Sequence, residues 1–305
     1  MSIIDETPSL IVNQSPSKRQ LWFAAIKPPM YTVAVIPISF GTALAYTETG
    51  IFQPNIFVTF LLSAILIIAW LNLSNDVFDS DTGIDVNKAH SVVNLTGNRT
   101  LILWISIICL LLGLGGILLI NYWLKDWTLL WLIMACCALG YSYQGPPFRL
   151  GYLGLGEIIC FVTFGPMAIA AAYYSQTQVF STSSLWASSI IGISTSIILF
   201  CSHFHQIKDD IAAGKKSPIV RLGTEFGSKV LTISVILFYS LCLLLTVIKI
   251  LPYNAFIVIL SVPIAYQLIN HVKEYHDQPE KVKNSKFIAV NLHFISGLLL
   301  CLGLI

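Results

Sequence analysis

The chain has 305 residues, of which 56% are hydrophobic and only 10% charged, and its mean hydropathy is +0.78. A soluble protein of this length needs far more charge, so the composition excludes that class and predicts an integral membrane protein. The formal net charge of +2 gives no basis for a nucleic-acid partner, and none is expected.

Residues 1–20, MSIIDETPSLIVNQSPSKRQ, are too polar for a cleavable signal peptide and read as a cytoplasmic tail. Residues 21–305 read as one transmembrane domain. Apolar stretches of roughly 20 residues each fall at 22–47, 54–76, 101–120, 127–144, 155–174, 184–205, 229–250, 253–271 and 286–305. They predict an all-α polytopic fold of nine transmembrane helices. The first stretch carries Lys27, Pro28, Pro29 and Pro37, which predicts a kink or tilt. The seventh and eighth are separated only by Leu251-Pro252, a tight turn. All seven Cys lie in apolar stretches without ligand or redox spacing and read as packing residues.

Charge asymmetry predicts the orientation. With the N-terminus cytoplasmic, 15 of the 17 Lys and Arg residues fall on the inner side, leaving Lys125 and Lys249 outside. Two of the inner loops share a pattern of acids, then Gly, then bases. The first runs Asp76, Asp79, Gly83, Lys88, Arg99; the second runs Asp209, Asp210, Gly214, Lys215, Lys216, Arg221. Because they follow the second and sixth stretches, they suggest a four-helix unit used twice in one orientation, with a ninth helix added.

The polar stretch Asn72 to Arg99 stands out against the apolar run before it. Asn72, Asn75, Asp76 and Asp79 recur at helical spacings of three and four, so one helix face presents two amides and two carboxylates. Asp81 and Asp85 follow, with Gly83 as a break. Like charges crowded at a helix C-terminus are disfavoured by each other and by the macrodipole. A divalent cation offsets both, and oxygen donors without paired His or Cys point to Mg²⁺ rather than Zn²⁺. Mg²⁺ bound in this way usually shares its coordination with a substrate phosphate. The competing reading is a solvated acidic loop at a membrane surface.

Two acidic clusters at one membrane face, each followed by bases, suit a diphosphate leaving group: metal and cations stabilise charge on the departing oxygens. Beside an apolar bundle, the substrate expected is a prenyl diphosphate, ionising to an allylic cation that an electron-rich acceptor attacks. Phe78, Tyr141, Tyr143, Phe148 and Phe204 are candidates to shield that cation, against a packing or interfacial role for each. No nucleophile–base pairing is evident.

Asn75-Asp76-Val77-Phe78-Asp79, continuing through Gly83 to Asp85, resembles the first aspartate motif of the UbiA-type membrane prenyltransferases. Lys27-Pro28 through Pro37, Gly145-Pro146-Pro147-Phe148-Arg149, Glu157, Ala213-Gly214-Lys215 and Val220-Arg221 are similar to the branch that prenylates 1,4-dihydroxy-2-naphthoate. The wording from His90 to Arg99 is similar to cyanobacterial members, which transfer a phytyl chain. The resemblance implies a Mg²⁺ cofactor, phytyl or another prenyl diphosphate as donor, and 1,4-dihydroxy-2-naphthoate or its quinone form as acceptor. It matches Asn75 and Asp79 to metal ligands, Asp76 and Asp85 to further acids of the first motif, Asp210 to the last acid of the second motif and Arg149 to a diphosphate contact. With the residue reading, the candidate metal ligands are Asn75, Asp79, Asp85, Asp210 and, as a stand-in, Asp209; the candidate catalytic acids are Asp76, Asp79 and Asp210; and Asn72, Lys27, Lys88, Gln206 and Lys215 join Arg149 as candidate substrate contacts.

The second motif departs from the family pattern. Its first acid falls on Gln206 and its usual Arg on His205, so either Asp209 replaces the missing acid or Gln206 binds through its amide oxygen. His203 and His205 read equally well as interfacial histidines satisfied by carbonyls. Glu157 reads as a favourable acid at a helix start. Lys216 and the other basic loop residues are candidates for contact with anionic membrane lipid. Alternatives for the acceptor are homogentisate, 4-hydroxybenzoate and chlorophyllide; the non-enzyme alternative is a secondary transporter, which lacks support from midplane charges.

Overall fold

The computed structural model describes Trp22, residues 27–82 and residues 91–305. The expected tail and the candidates Asp85 and Lys88 lie outside the described residues. Among those residues all regular structure is helical.

A 3₁₀ turn, Pro28–Tyr31, leads into α1, Thr32–Thr49, which carries Pro37 inside it. There follow α2, Pro54–Thr82; the short α3, Val92–Thr96; α4, Arg99–Leu124; and α5, Thr128–Gln144. Then come α6, Gly156–Thr177; α7, Thr182–Ala212; the short α8, Pro218–Leu222; α9, Thr224–Val247; α10, Tyr253–Tyr275; and α11, Pro279–Leu304. Helix α6 contains a π turn at Thr163–Met167 around Pro166, and α10 begins as 3₁₀ helix.

Among the described residues, eight helices are long and apolar enough to cross a membrane. The expected fourth span, α5, has 17 residues and is apolar but shorter. Its length is about 26 Å, against roughly 30 Å of hydrocarbon. The expected two-residue turn before α10 is longer, because α9 stops at Val247. Lys249 turns left-handed at φ 62°, and the N–H groups of Ile250 and Leu251 both donate to the Leu245 carbonyl, at 2.9 and 3.0 Å.

The suggested internal repeat has a counterpart in the elements. The two longest helices, α2 and α7, have 29 and 31 residues, and each is followed by a five-residue helix, α3 or α8. Ser91 and Ser217 precede those short helices, and Gly97 and Gly223 close them.

Burial of apolar side chains holds the bundle's interior, while Trp104, Leu111, Leu112, Ile233 and Leu260 face outward, as lipid contact requires. One core joins α1, α2, α4 and α5 through Ile38, Phe60, Ile117 and Ile133. Another joins α7, α9, α10 and α11 through Phe204, Leu231, Leu268 and Val290. Helices α6 and α7 cross with backbones nearly touching. A Cβ on Gly165 would lie 2.9 Å from the Gly192 Cα and 3.0 Å from the Ser188 carbonyl oxygen, so no larger residue fits that crossing.

Candidate active site

The C-terminal turns of α2 and α7 end at the same pole of the bundle. On α2, Asp76 is 1% exposed and uses both oxygens. Oδ1 accepts from Lys27 Nζ at 2.8 Å, and Oδ2 accepts from the Val92 N–H at 3.1 Å. The second bond docks α3 onto α2, helped by a small core of Val77, Val92, Val93 and Ile102. One turn later Asp79, also buried, accepts a hydrogen bond from the side-chain amide of Gln144 at the end of α5. Asp81 lies further out, in a two-bonded pair with Arg99 at 2.7 and 2.6 Å.

On α7, Asp210 is 1% exposed and meets two basic side chains. His203 Nδ1 stands 3.1 Å from Oδ2, and Lys215 Nζ stands 3.4 Å from Oδ1. The other edge of the His203 ring faces α6, where Nε2 lies 3.3 Å from Glu157 Oε1.

The segment between α5 and α6 brings the two clusters together. The Tyr143 ring packs against the backbone of this segment, where a Cβ on Gly151 or Gly156 would fall 2.6 or 2.7 Å from it. Tyr152 donates to Thr82 Oγ1 at 2.8 Å. Burial pushes its phenol pKa up, with the Thr82 hydrogen bond opposing; Asp79 and Asp210 add to the rise while Arg149 counters it. Backbone bonds tie this segment to the second loop: the Lys216 N–H donates to the Tyr152 carbonyl at 2.8 Å, and Arg221 donates to the Leu153 carbonyl at 2.6 Å.

Several buried polar atoms at this pole have no hydrogen-bond partner. They are Asn72 Nδ2, Asn75 Oδ1, Arg149 Nε, Glu157 Oε2 and Asp210 Oδ1. Such atoms carry a desolvation cost that a bound ligand removes. Arg149 also holds φ at 44° and Lys27 at 53°, left-handed values that cost energy for a side-chain-bearing residue and cluster at functional sites.

The oxygen-rich set fits a hard cation in donor chemistry. No group of three or more His, Cys, Asp or Glu among the described residues is close enough to hold an ion alone. That pattern suits Mg²⁺, which keeps open positions for substrate phosphate.

The remaining sequence candidates are placed unevenly. Gln206 is half-buried, whereas Asp209 is exposed, so the expectation that Asp209 replaces the acid missing at position 206 does not fit its surroundings. Phe204 is fully buried and packs edge-on against Phe200, and Phe148 is 61% exposed. Phe78 and Tyr141 form an edge-to-face pair at 5.6 Å beside Asp79. The reading of His203 as satisfied by carbonyls is corrected: its partners are two carboxylates. Its spacing of seven from Asp210, two turns of one face, was the available signal.

Residues 34–296 match the UbiA prenyltransferase family. The chain belongs to that family. It is a multi-pass membrane prenyltransferase. Over 302 residues it is 62% identical to the 2-carboxy-1,4-naphthoquinone phytyltransferase of Synechocystis sp., covering 98% of this chain and 97% of that protein. To the chloroplastic 2-carboxy-1,4-naphthoquinone phytyltransferase of Arabidopsis thaliana it is 44% identical, covering 95% and 78%. Among solved structures, a UbiA homolog from Archaeoglobus fulgidus shares the fold with a TM-score of 0.64 at 17% identity, covering 93% and 99%. The same homolog bound to GPP and Mg²⁺ gives a TM-score of 0.57, covering 92% and 99%.

Proposed function

We propose that this prenyltransferase moves a phytyl group from phytyl diphosphate to 1,4-dihydroxy-2-naphthoate or its quinone form, 2-carboxy-1,4-naphthoquinone, with loss of CO₂. The observation that carries the reaction class is the meeting of two polar clusters, Lys27–Asp76–Asp79 and His203–Asp210–Lys215, at one pole of an apolar bundle. The acceptor and chain are supported by the names of the two phytyltransferases at 62% and 44% identity. We place the site on the cytoplasmic side of a nine-helix bundle whose N-terminus is inside, following the distribution of Lys and Arg.

Asn75, Asp79 and Asp210 would hold Mg²⁺, with Asp76 and Gln206 adjoining. When bound, the ion supplies charge neutralisation to the diphosphate oxygens. Lys27, Arg149 and Lys215 offer N–H donors to the same oxygens, and Asn72 contributes its unpartnered amide. As the allylic C–O bond breaks, its electron pair leaves on diphosphate. A π pair of the acceptor ring forms the new C–C bond at the carboxyl-bearing carbon; the bond to the carboxylate then breaks, CO₂ departs, and that pair restores the ring. The protein's part is orientation and charge placement, so no covalent enzyme intermediate is needed. Tyr143, Phe78 and Tyr141 present ring faces and edges near the acids, where an allylic cation would be shielded from water.

The test is product mass. Purified enzyme with Mg²⁺, phytyl diphosphate and the dihydroxynaphthoate should yield demethylphylloquinol, and with 2-carboxy-1,4-naphthoquinone it should yield demethylphylloquinone. A prenylated product that keeps its carboxylate would refute the coupled decarboxylation. Prenylation of homogentisate or chlorophyllide alone would refute the acceptor.

A further inference from the structure

We propose that His203 and Glu157 are positioning residues that fix the rotamer of Asp210, so that one of its oxygens is presented to the metal–diphosphate. This rests on the reading of Asp210 given above. The three side chains form a line. Glu157 Oε1 lies 3.3 Å from one ring nitrogen of His203, and Asp210 Oδ2 lies 3.1 Å from the other. His203 is 2% exposed, so the ring is locked by packing as well as by its partners. The result is asymmetric: Oδ2 of Asp210 is hydrogen-bonded, while Oδ1 is buried, makes no hydrogen bond and stands 3.4 Å from the Lys215 ammonium.

The far end of the line is also anchored. Ser196 donates to the Glu157 backbone carbonyl at 2.9 Å, joining the first turn of α6 to α7. A Cβ on Gly156 would lie 2.7 Å from the Tyr143 ring and 2.9 Å from Leu199, so glycine there permits the approach. Ser196, Leu199 and His203 lie at spacings of three and four, one face of α7, and the start of α6 rests on that stripe.

A purely structural role explains this less well. Buried charge clusters are poor sources of stability, because desolvation cancels much of the attraction. Polar partners that orient a metal-binding side chain are a recognised use of the same arrangement. The need is greater here than with two acids in the motif: position 206 is Gln and Asp209 is exposed, leaving Asp210 as the buried carboxylate of this cluster on α7.

The experiment measures Mn²⁺ affinity by the EPR signal of free ion, in the presence of an unreactive prenyl thiodiphosphate, alongside kcat, KM and thermal unfolding. His203→Ala and Glu157→Ala should weaken Mn²⁺ binding by about 10- to 100-fold and raise KM for the diphosphate more than they lower kcat. His203→Gln and Glu157→Gln, which retain a donor and an acceptor, should recover most of the affinity. If His203→Ala does not fold, His203→Gln against Glu157→Ala carries the comparison. Unchanged Mn²⁺ affinity in the folded His203 and Glu157 variants, with affinity lost in Asp210→Asn, would overturn the positioning role and leave the metal reading standing. Unchanged affinity in Asp210→Asn would overturn the metal reading itself.

Discussion

Replacing Lys27 by Met should destabilise the protein through the charge it leaves behind rather than through packing. Asp76 is 1% exposed and its Oδ1 lies 2.8 Å from the Lys27 ammonium. Breaking a buried pair by removing one partner costs about 3–5 kcal/mol. The Val92 N–H still donates to Oδ2, so the lower end, about 3 kcal/mol, applies. At ~2–3 °C per kcal/mol for a chain of this size, the melting temperature in detergent should fall by about 6–9 °C. Asp76→Asn added to Lys27→Met removes the stranded charge and should recover most of that loss, which makes a double-mutant cycle the decisive assay. Both variants should stay poorly active, since the diphosphate loses a cation in each. A melt of Lys27→Met within about 1 °C of wild type, or a double variant no more stable than the single one, would refute the reasoning.

Asp79→Ala should abolish turnover while the protein remains folded, and excess EDTA should abolish it in the wild type; product formation by mass spectrometry checks both. On α7, Asp210→Asn should be severe, Gln206→Ala intermediate and Asp209→Asn close to wild type in kcat/KM, because Asp209 is exposed. Arg99→Ala breaks an exposed pair with Asp81 and should cost about 1 kcal/mol or less by thermal unfolding, even with two hydrogen bonds. At the opposite pole, the Tyr174 hydroxyl, with Thr128 assisting, holds the Asp126 carboxyl below its ordinary value of 3.8. A depressed carboxyl contributes stability above its unfolded value and loses it as pH falls through the folded one. The melting difference between wild type and Tyr174→Phe should therefore shrink as pH falls below about 4.

Much of the site was legible because its residues repeat at the period of the element that carries them. Asn72, Asn75, Asp76 and Asp79 share a helix face by spacing alone, and α2 continues through them to Thr82. Spacing also allowed Asp209 and Asp210 equally, and only packing against α6 and the second loop shows which one points inward. Lys27 was a candidate, but its pairing with Asp76 spans 49 positions of sequence, beyond any local signal. His203 and Glu157 each have an adequate local explanation, an interfacial histidine and a helix-start acid. Their contact comes from the α6–α7 crossing, which rests on close approach at Gly156, Gly165 and Gly192. The number of crossings was hardest to read at α5, an apolar helix whose 17 residues fall near the length needed to span.

The length of the two acid-bearing helices divides the substrate between two solvents. With 29 residues, α2 extends about 44 Å, some 14 Å more than the hydrocarbon slab can cover. Its last turns, with Asp76 and Asp79, can therefore stand in the headgroup region while its first turns remain among the acyl chains. An amphiphile lying along such a helix keeps its charged end in a polar medium throughout the reaction and its isoprenoid in an apolar one. After the C–O bond breaks, the fragments leave by different routes, diphosphate into water and the prenylated ring into the bilayer. Neither has to cross the medium that rejects it, and this physical separation opposes the back reaction.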